Sequence, residues 1–193
     1  MTDRPIPVKV AESLPKTADL VETMHNIEFK AELRDILVAR RQCKVLGATR
    51  MGVLHQTDTY FRLADGRLKR REAPGEPTEW IFYHRRDIVR PRMCDYAILS
   101  DAQARRRWGT TSLKEWVRVV KRRELWMLDN VRIHLDEVEV IGTFLEFEAI
   151  VDKDHDTRSC HKTIKHLREI FRLTMGEAVG PSYSDMVAQE IEC

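Results

Sequence analysis

Charged residues recur at alternate positions along this sequence. Arg67, Lys69 and Arg71 are spaced in this way, as are Glu28, Lys30 and Glu32, and Arg132, His134 and Asp136; Lys121 with Arg123 and Glu146 with Glu148 repeat it in pairs. Successive side chains of an extended strand point to opposite faces, so each set shares a face. The partner faces are apolar: Ile27, Phe29 and Leu33; Val131, Ile133 and Leu135; Leu145, Phe147 and Ala149. A sheet with one wet face would produce the same alternation with its charges simply solvated. Two features point elsewhere. The signs are sorted, cation-rich strands in the middle of the chain and carboxylate-rich strands towards its ends, whereas a solubilising surface intersperses them. About eight such strands also suffice to close a barrel with the charged face inward. Buried charge is costly unless compensated. A lumen of this kind calls for a polyanion to neutralise its cations and a divalent metal to bridge its carboxylates to that polyanion. Oxygen ligands favour Mg²⁺ or Mn²⁺ over zinc. A triphosphate meets the demand better than a single phosphate.

The elements that must present these faces are marked in the sequence. Alternation predicts strands over 26–33, 54–63, 67–72, 79–85, 96–99, 116–123, 131–136 and 143–151, with Asp65-Gly66 as a hairpin turn and Gly142 in the last turn. Asp35 predicts the N-cap of a helix that sets Ile36, Ala39, Cys43 and Leu46 at helical spacing and stops at Gly47. Ser100 with Gln103 reads as a capping box for a short helix ended by Gly109. A third helix over 157–175 gathers Cys160, Ile164, Leu167 and Phe171 on one face and closes at Gly176. Antiparallel hairpins dominate, so the fold class is α+β and not a doubly wound nucleotide-binding sheet. Neither Gly-x-Gly-x-x-Gly nor the P-loop pattern occurs.

Of 193 residues, 42% are apolar and 33% charged; Lys+Arg number 33 against 31 Asp+Glu, a net charge of +2. The apolar share excludes a disordered chain. No apolar run is long enough to span a bilayer and no secretion signal is read at the N-terminus. Four cysteines, Cys43, Cys94, Cys160 and Cys193, lie far apart with no Cys-x-x-Cys pair. That pattern suits a reducing, cytoplasmic compartment and argues against a disulfide framework or structural zinc. Residues 1–23, with Pro5, Pro7 and Pro15 and no sustained period, read as a flexible tail, and 24–193 as one domain.

Seven segments follow one another in a telling order: Asn26-Ile27-Glu28-Phe29-Lys30, His55 to Phe61, Gly66 to Glu72, Lys121-Arg122-Arg123, Val131 to Asp136, Gly142 to Glu148 and Ser182 to Met186. In type and order they resemble the CYTH superfamily, the triphosphate tunnel metalloenzymes, over about residues 25–187. The resemblance implies a closed antiparallel eight-stranded β-barrel with flanking helices that binds a triphosphate end to end. It implies Glu28, Glu146 and Glu148, with Asp136, as ligands of Mg²⁺ or Mn²⁺. It implies Lys30, Arg67, Lys69, Arg71, Arg85, Lys121, Arg123 and Arg132 as phosphate contacts, Lys30, Lys121 and Arg123 also being catalytic candidates.

The run Arg-Ile-His-Leu-Asp-Glu-Val and the ending Ser-Tyr-Ser-Asp look most like the class IV adenylyl cyclase branch, which forms cyclic AMP and pyrophosphate from ATP. The alternative is a triphosphatase acting on inorganic triphosphate, thiamine triphosphate or a nucleoside triphosphate; a further one is a module that binds such anions without turnover. The family's usual first glutamate is replaced by Asn26, and Glu32 on the same strand face is the candidate to compensate.

Other side chains carry less. His155, His161 and His166 with Cys160 are not spaced for one helical face, so a solvated surface is the simpler reading. His134 has two readings, near substrate or as a hydrogen-bonded barrel residue; Tyr60, Tyr83 and Tyr183 could face a nucleobase or pack. Arg105-Arg106-Arg107 reads as a solvated helix face. Carboxylates interleaved with the basic strands would repel a nucleic-acid backbone, so no nucleic acid and no membrane partner is expected. A homodimer is left open.

Overall fold

The computed structural model describes residues 21–109 and 113–192. Strands β1 (Met24–Leu33), β2 (Thr49–Arg62), β3 (Arg67–Glu72), β4 (Glu79–Arg85), β5 (Arg92–Leu99), β6 (Glu115–Leu128), β7 (Val131–Val138) and β8 (Gly142–Val151) form one antiparallel sheet in the order β5-β4-β3-β2-β6-β7-β8-β1. Met24 to Glu28 of β1 then pair with Arg92 to Tyr96 of β5, which closes the sheet into an eight-stranded barrel. A ninth strand, β9 (Met175–Ala178), extends the free part of β1.

Period-two alternation turns the polar faces inward, so the main hydrophobic core lies outside the barrel wall. Ile27, Phe29, Val131, Ile133, Leu135 and Phe147 pack against Ala39 and Cys43 of helix α1 (Ile36–Val45) and against Cys160, Ile164, Leu167 and Phe171 around helix α3 (Thr157–Ile170). Phe61, Leu68, Trp80 and Leu99 form a second outer cluster, joined by Ala104 of helix α2 (Asp101–Trp108). Burying an aliphatic or aromatic side chain contributes about 1.5–3 kcal/mol, so these layers hold the wall in place around a polar lumen. Tyr60, Val119, Phe144, Tyr183 and Val187 form a third buried cluster, the last two from helix α4 (Tyr183–Glu192).

Asp35 caps α1, accepting from Leu37 N and Val38 N at 2.9 and 3.0 Å. The Ser100–Gln103 capping box and the left-handed Gly109 bound α2 as expected. Three expectations need correction. The helix expected over 157–175 ends at Ile170, because Thr174 N and Met175 N both donate to Phe171 O and turn the chain into β9. A fourth helix, α4, follows Ser182; Ser182 and Asp185 bond each other's backbone N–H, a capping pair visible in the sequence but not read as one. Strands β2, β5 and β6 are longer than alternation marked, because β2 and β6 pair along their length and β5 supplies the closing edge. The tail reading for residues 1–20 lies outside the described residues, while Val21 packs on the second outer cluster.

Gly66 sits in the β2–β3 hairpin turn with φ +72, and a Cβ there would lie 2.6 Å from Cε2 of Phe82 on β4. Gly66→Ala is therefore expected to destabilise the fold by about 1–3 kcal/mol, read as a shift in denaturant midpoint at unchanged slope.

Candidate functional site

A cavity of about 380 Å³ occupies the barrel, a size suited to a small ligand. Seven cations line it: Lys30, Lys69, Arg71, Arg85, Lys121, Arg123 and Arg132. Four carboxylates, Glu28, Glu79, Glu146 and Glu148, line it with them. Arg67 stands outside this lining; its guanidinium pairs with Asp87 and Asp185, beside α4. Asp136 is fully buried in the wall, where both oxygens accept from Arg123 at 2.8 and 2.6 Å and one accepts from the Tyr183 hydroxyl at 2.9 Å. Glu32 is exposed and faces β9, close to Gly176 and Glu177 N, so it does not stand in for the missing glutamate.

The cations are held by carboxylates at two centres. Asp58, 0% exposed, accepts from Lys69 Nζ at 3.1 Å, Lys121 Nζ at 2.5 Å and Arg71 Nε and Nη2 at 2.8 and 2.9 Å. Strands β2, β3 and β6 are adjacent in the barrel, which puts these four side chains in one patch. Burial alone would raise the Asp58 carboxyl, but Arg71, Lys121 and Lys69 outweigh it and hold it well below the usual range. Burial pushes Lys121 down to about 7, with Arg71, Lys69 and Arg123 adding to the fall against the pull of Asp58. The sequence reading missed Asp58: it alternates with Gln56 and Tyr60 but carries the wrong sign for a basic patch.

Glu28 and Lys30 make the second centre with β8. Glu28 accepts from Arg92 Nε at 2.9 Å and lies 3.3 Å from Arg85 Nε. Cross-strand register sets Glu28 opposite Glu148 and Lys30 opposite Glu146. Burial, then Glu146 and Glu148, raise the Glu28 carboxyl against the pull of Arg85 and Arg92. Burial pushes Lys30 down to about 8. Lys30 Nζ donates to Pro181 O at 2.6 Å and sits 4.2 Å from the Tyr183 ring centroid. Arg92 is the second residue the sequence reading missed; it opens β5 just outside the expected strand.

Lys121 gives the site a pH dependence. Its ammonium charge fades as the pH rises through about 7. Affinity for inorganic triphosphate, measured by calorimetry, is expected to weaken across that range with proton uptake on binding. Lys121→Arg, whose guanidinium stays charged, is expected to flatten the Lys121 component.

A divalent cation suits the residues present. Three carboxylates, Glu28, Glu146 and Glu148, stand on the adjacent strands β1 and β8, where a divalent cation would add to the pairing that Arg85, Arg92, Arg123 and Arg132 give them. His134 Nδ1 and an oxygen from each of Glu146 and Glu148 lie within 4.8 Å of one another. Asn26, 3% exposed on the same wall, has an Oδ1 with no hydrogen-bond partner, an acceptor available to an ion-bound water.

Among curated proteins none matches this chain. Solved structures share its fold. PH1012 protein from Pyrococcus horikoshii OT3 is 22% identical, with a TM-score of 0.68 over 83% of this chain and 98% of that one. A candidate adenylate cyclase from Vibrio parahaemolyticus is 16% identical, TM-score 0.68, over 86% and 99%. A candidate adenylyl cyclase from Hippeastrum, with a dominant triphosphatase activity, is 11% identical, TM-score 0.56, over 85% and 95%. At these identities the likeness is one of fold. The CYTH domain model, however, matches residues 24–179, the whole barrel and its ninth strand. With charges of both signs turned into one closed lumen, the chain belongs to the CYTH domain family.

Proposed function

We propose that this protein is a metal-dependent enzyme acting on a triphosphate, with ATP as substrate and cyclic AMP and pyrophosphate as products. The observation that carries this reading is the cavity itself, where seven cations converge on a space that also has an apolar part. Leu54, Ile98 and Leu125 line it together with Tyr96. An organic group can rest there while its phosphates reach the cations, which favours an organic triphosphate over inorganic triphosphate.

In this reading Lys30 and Arg85, at the α4 end, hold the leaving pyrophosphate. Arg123, a planar guanidinium fixed by Asp136, offers donors to the oxygens of the reacting α-phosphate. The ribose 3′-hydroxyl oxygen forms a bond to the α-phosphorus, the bond from that phosphorus to its bridging oxygen breaks, and pyrophosphate departs with the electron pair. Lys121, an ammonium once phosphate is bound and held by Asp58, adds positive charge beside the reacting group, and the hydroxyl proton leaves to a solvent water. Glu146 and Glu148, with Glu28, would hold a divalent ion, which supplies Lewis-acid stabilisation of charge on the phosphate oxygens. Lys69, Arg71 and Arg132 add positive potential along the phosphate chain; Arg67 and Asp136 support the wall.

Hydrolysis is the second reading, favoured by the dominant triphosphatase activity of the Hippeastrum neighbour. Incubating the protein with ATP and Mn²⁺ and separating the products decides between them: cyclic AMP with pyrophosphate supports cyclisation, and orthophosphate without cyclic nucleotide rejects it. Tight ATP binding with no product over hours would instead identify a binding module.

A further inference from the structure

His134 is 3% exposed on β7, one face position from Arg132 and one from Asp136, yet neither is its partner. Its Nδ1 lies 3.3 Å from Glu146 Oε2 and 3.7 Å from Glu148 Oε1. Register enforces this meeting: His134 is opposite Glu146 across β7 and β8, and Glu148 follows on the same face. The separations of 3.3 and 3.7 Å from the imidazole nitrogen to the two carboxylates suit donors around a single ion, since metal–ligand bonds of about 2.0–2.2 Å place neighbouring donors about 3–4 Å apart. A second observation is independent of this cluster. Asn26 lines the same cavity from β1, its Oδ1 buried and unpartnered. A buried acceptor with no donor costs about 1–3 kcal/mol, and a water on a neighbouring ion would satisfy it.

We propose that His134 is a direct nitrogen ligand in a mixed site with Glu146 and Glu148, and that it makes this tunnel select a first-row transition ion such as Mn²⁺ over Mg²⁺. Mg²⁺ is hard, prefers six oxygens and keeps its waters, so an imidazole adds little for it. Transition ions accept imidazole readily. Asn26 sharpens the difference. With an amide in place of a carboxylate at that position, and with Glu28 held by Arg85 and Arg92, the charge available to a hard ion is reduced. The nitrogen donor compensates only for ions that bind nitrogen. Arg123, 2.9 Å from Glu146, and Arg132, 3.5 Å from Glu148, neutralise the two glutamates when no cation is bound, and they are freed for phosphate when one is. This inference deepens the reading of the same cavity as a triphosphate site, naming the ion that accompanies the substrate.

The test uses the full chain without nucleotide. Mn²⁺ is titrated by the loss of its free electron-resonance signal, Mg²⁺ is added as competitor, and pulsed electron resonance looks for nitrogen-14 coupling at the bound ion. Expected are Mn²⁺ affinity about tenfold or more above that for Mg²⁺ and a clear imidazole coupling. His134→Gln should remove the coupling and weaken Mn²⁺ binding about tenfold or more, while Mg²⁺ affinity changes by less than about threefold. Asn26→Ala should weaken both ions by a similar, smaller factor. Absence of Mn²⁺ binding, absence of coupling in the native protein, coupling that persists in His134→Gln, or an unchanged ratio of the two affinities overturns the proposal. The coupling is read on the native protein, so it stands whether or not a variant folds. A protein that shows the coupling but turns over no triphosphate refutes the proposed reaction alone; one that makes cyclic AMP without the coupling refutes this site alone.

Discussion

Arg123→Ala is expected to produce the largest loss of activity of any single substitution in the barrel. Arg123 is the shared partner of Asp136 and Glu146; its removal leaves Asp136, fully buried, without its cation, while the partly buried Glu146 keeps His134. Stranding a buried charge costs about 3–5 kcal/mol, a large part of the stability of a domain this size. The catalytic loss is separate, because a guanidinium aimed at a reacting phosphate contributes about 10²–10³ in rate. Arg123→Lys separates the two effects: one ammonium keeps the charge, so the denaturant midpoint should largely recover, but the fork of parallel donors is gone and kcat should stay low. Turnover by Arg123→Ala within about tenfold of the native value would remove Arg123 from the chemistry.

The second large effect is expected at Asp58, for the opposite electrostatic reason. Asp58→Asn removes the carboxylate that Lys69, Arg71 and Lys121 share, leaving three cations in mutual repulsion. Without an anion the variant should lose about 3–5 kcal/mol of stability. Inorganic triphosphate should then raise its melting temperature by more than it raises that of the native protein, since the added anion replaces the missing carboxylate as well as filling the site. An equal or smaller rise would show that Asp58 does not occupy the place of an anion, and that the three cations are not gathered for one. Asp58 is also fully buried and fully bonded, so the effect tests the patch and not a surface charge.

How much of this was legible beforehand differs between residues. Lys69, Arg71, Lys121, Arg123, Glu146 and Glu148 announced themselves by strand-period spacing, and all of them line the cavity or its wall. Arg67 has the same spacing as Lys69 and Arg71, yet it pairs with Asp87 and Asp185, because its end of β3 meets the loops beside α4. Asp58 and Arg92 escape the spacing argument, since neither belongs to a charged alternation within its own strand; their importance comes from partners on other strands. Helix α3 shows the limit of apolar spacing: Phe171 continues the helical stripe, but bonds to its carbonyl end the helix.

By itself, the amino-acid order determined which faces of the strands are charged, where most strands and turns fall, and that the charges are sorted by sign along the chain. These properties are local, set by the period-two geometry of an extended backbone and the conformational needs of Asp, Ser and Gly at turns and caps. Closure of β1 onto β5, the partners of each lysine and arginine, and the meeting of His134 with Glu146 and Glu148 were decided only in three dimensions. Each depends on register between strands distant in sequence, and a single-residue slip would turn the same charges outward to water.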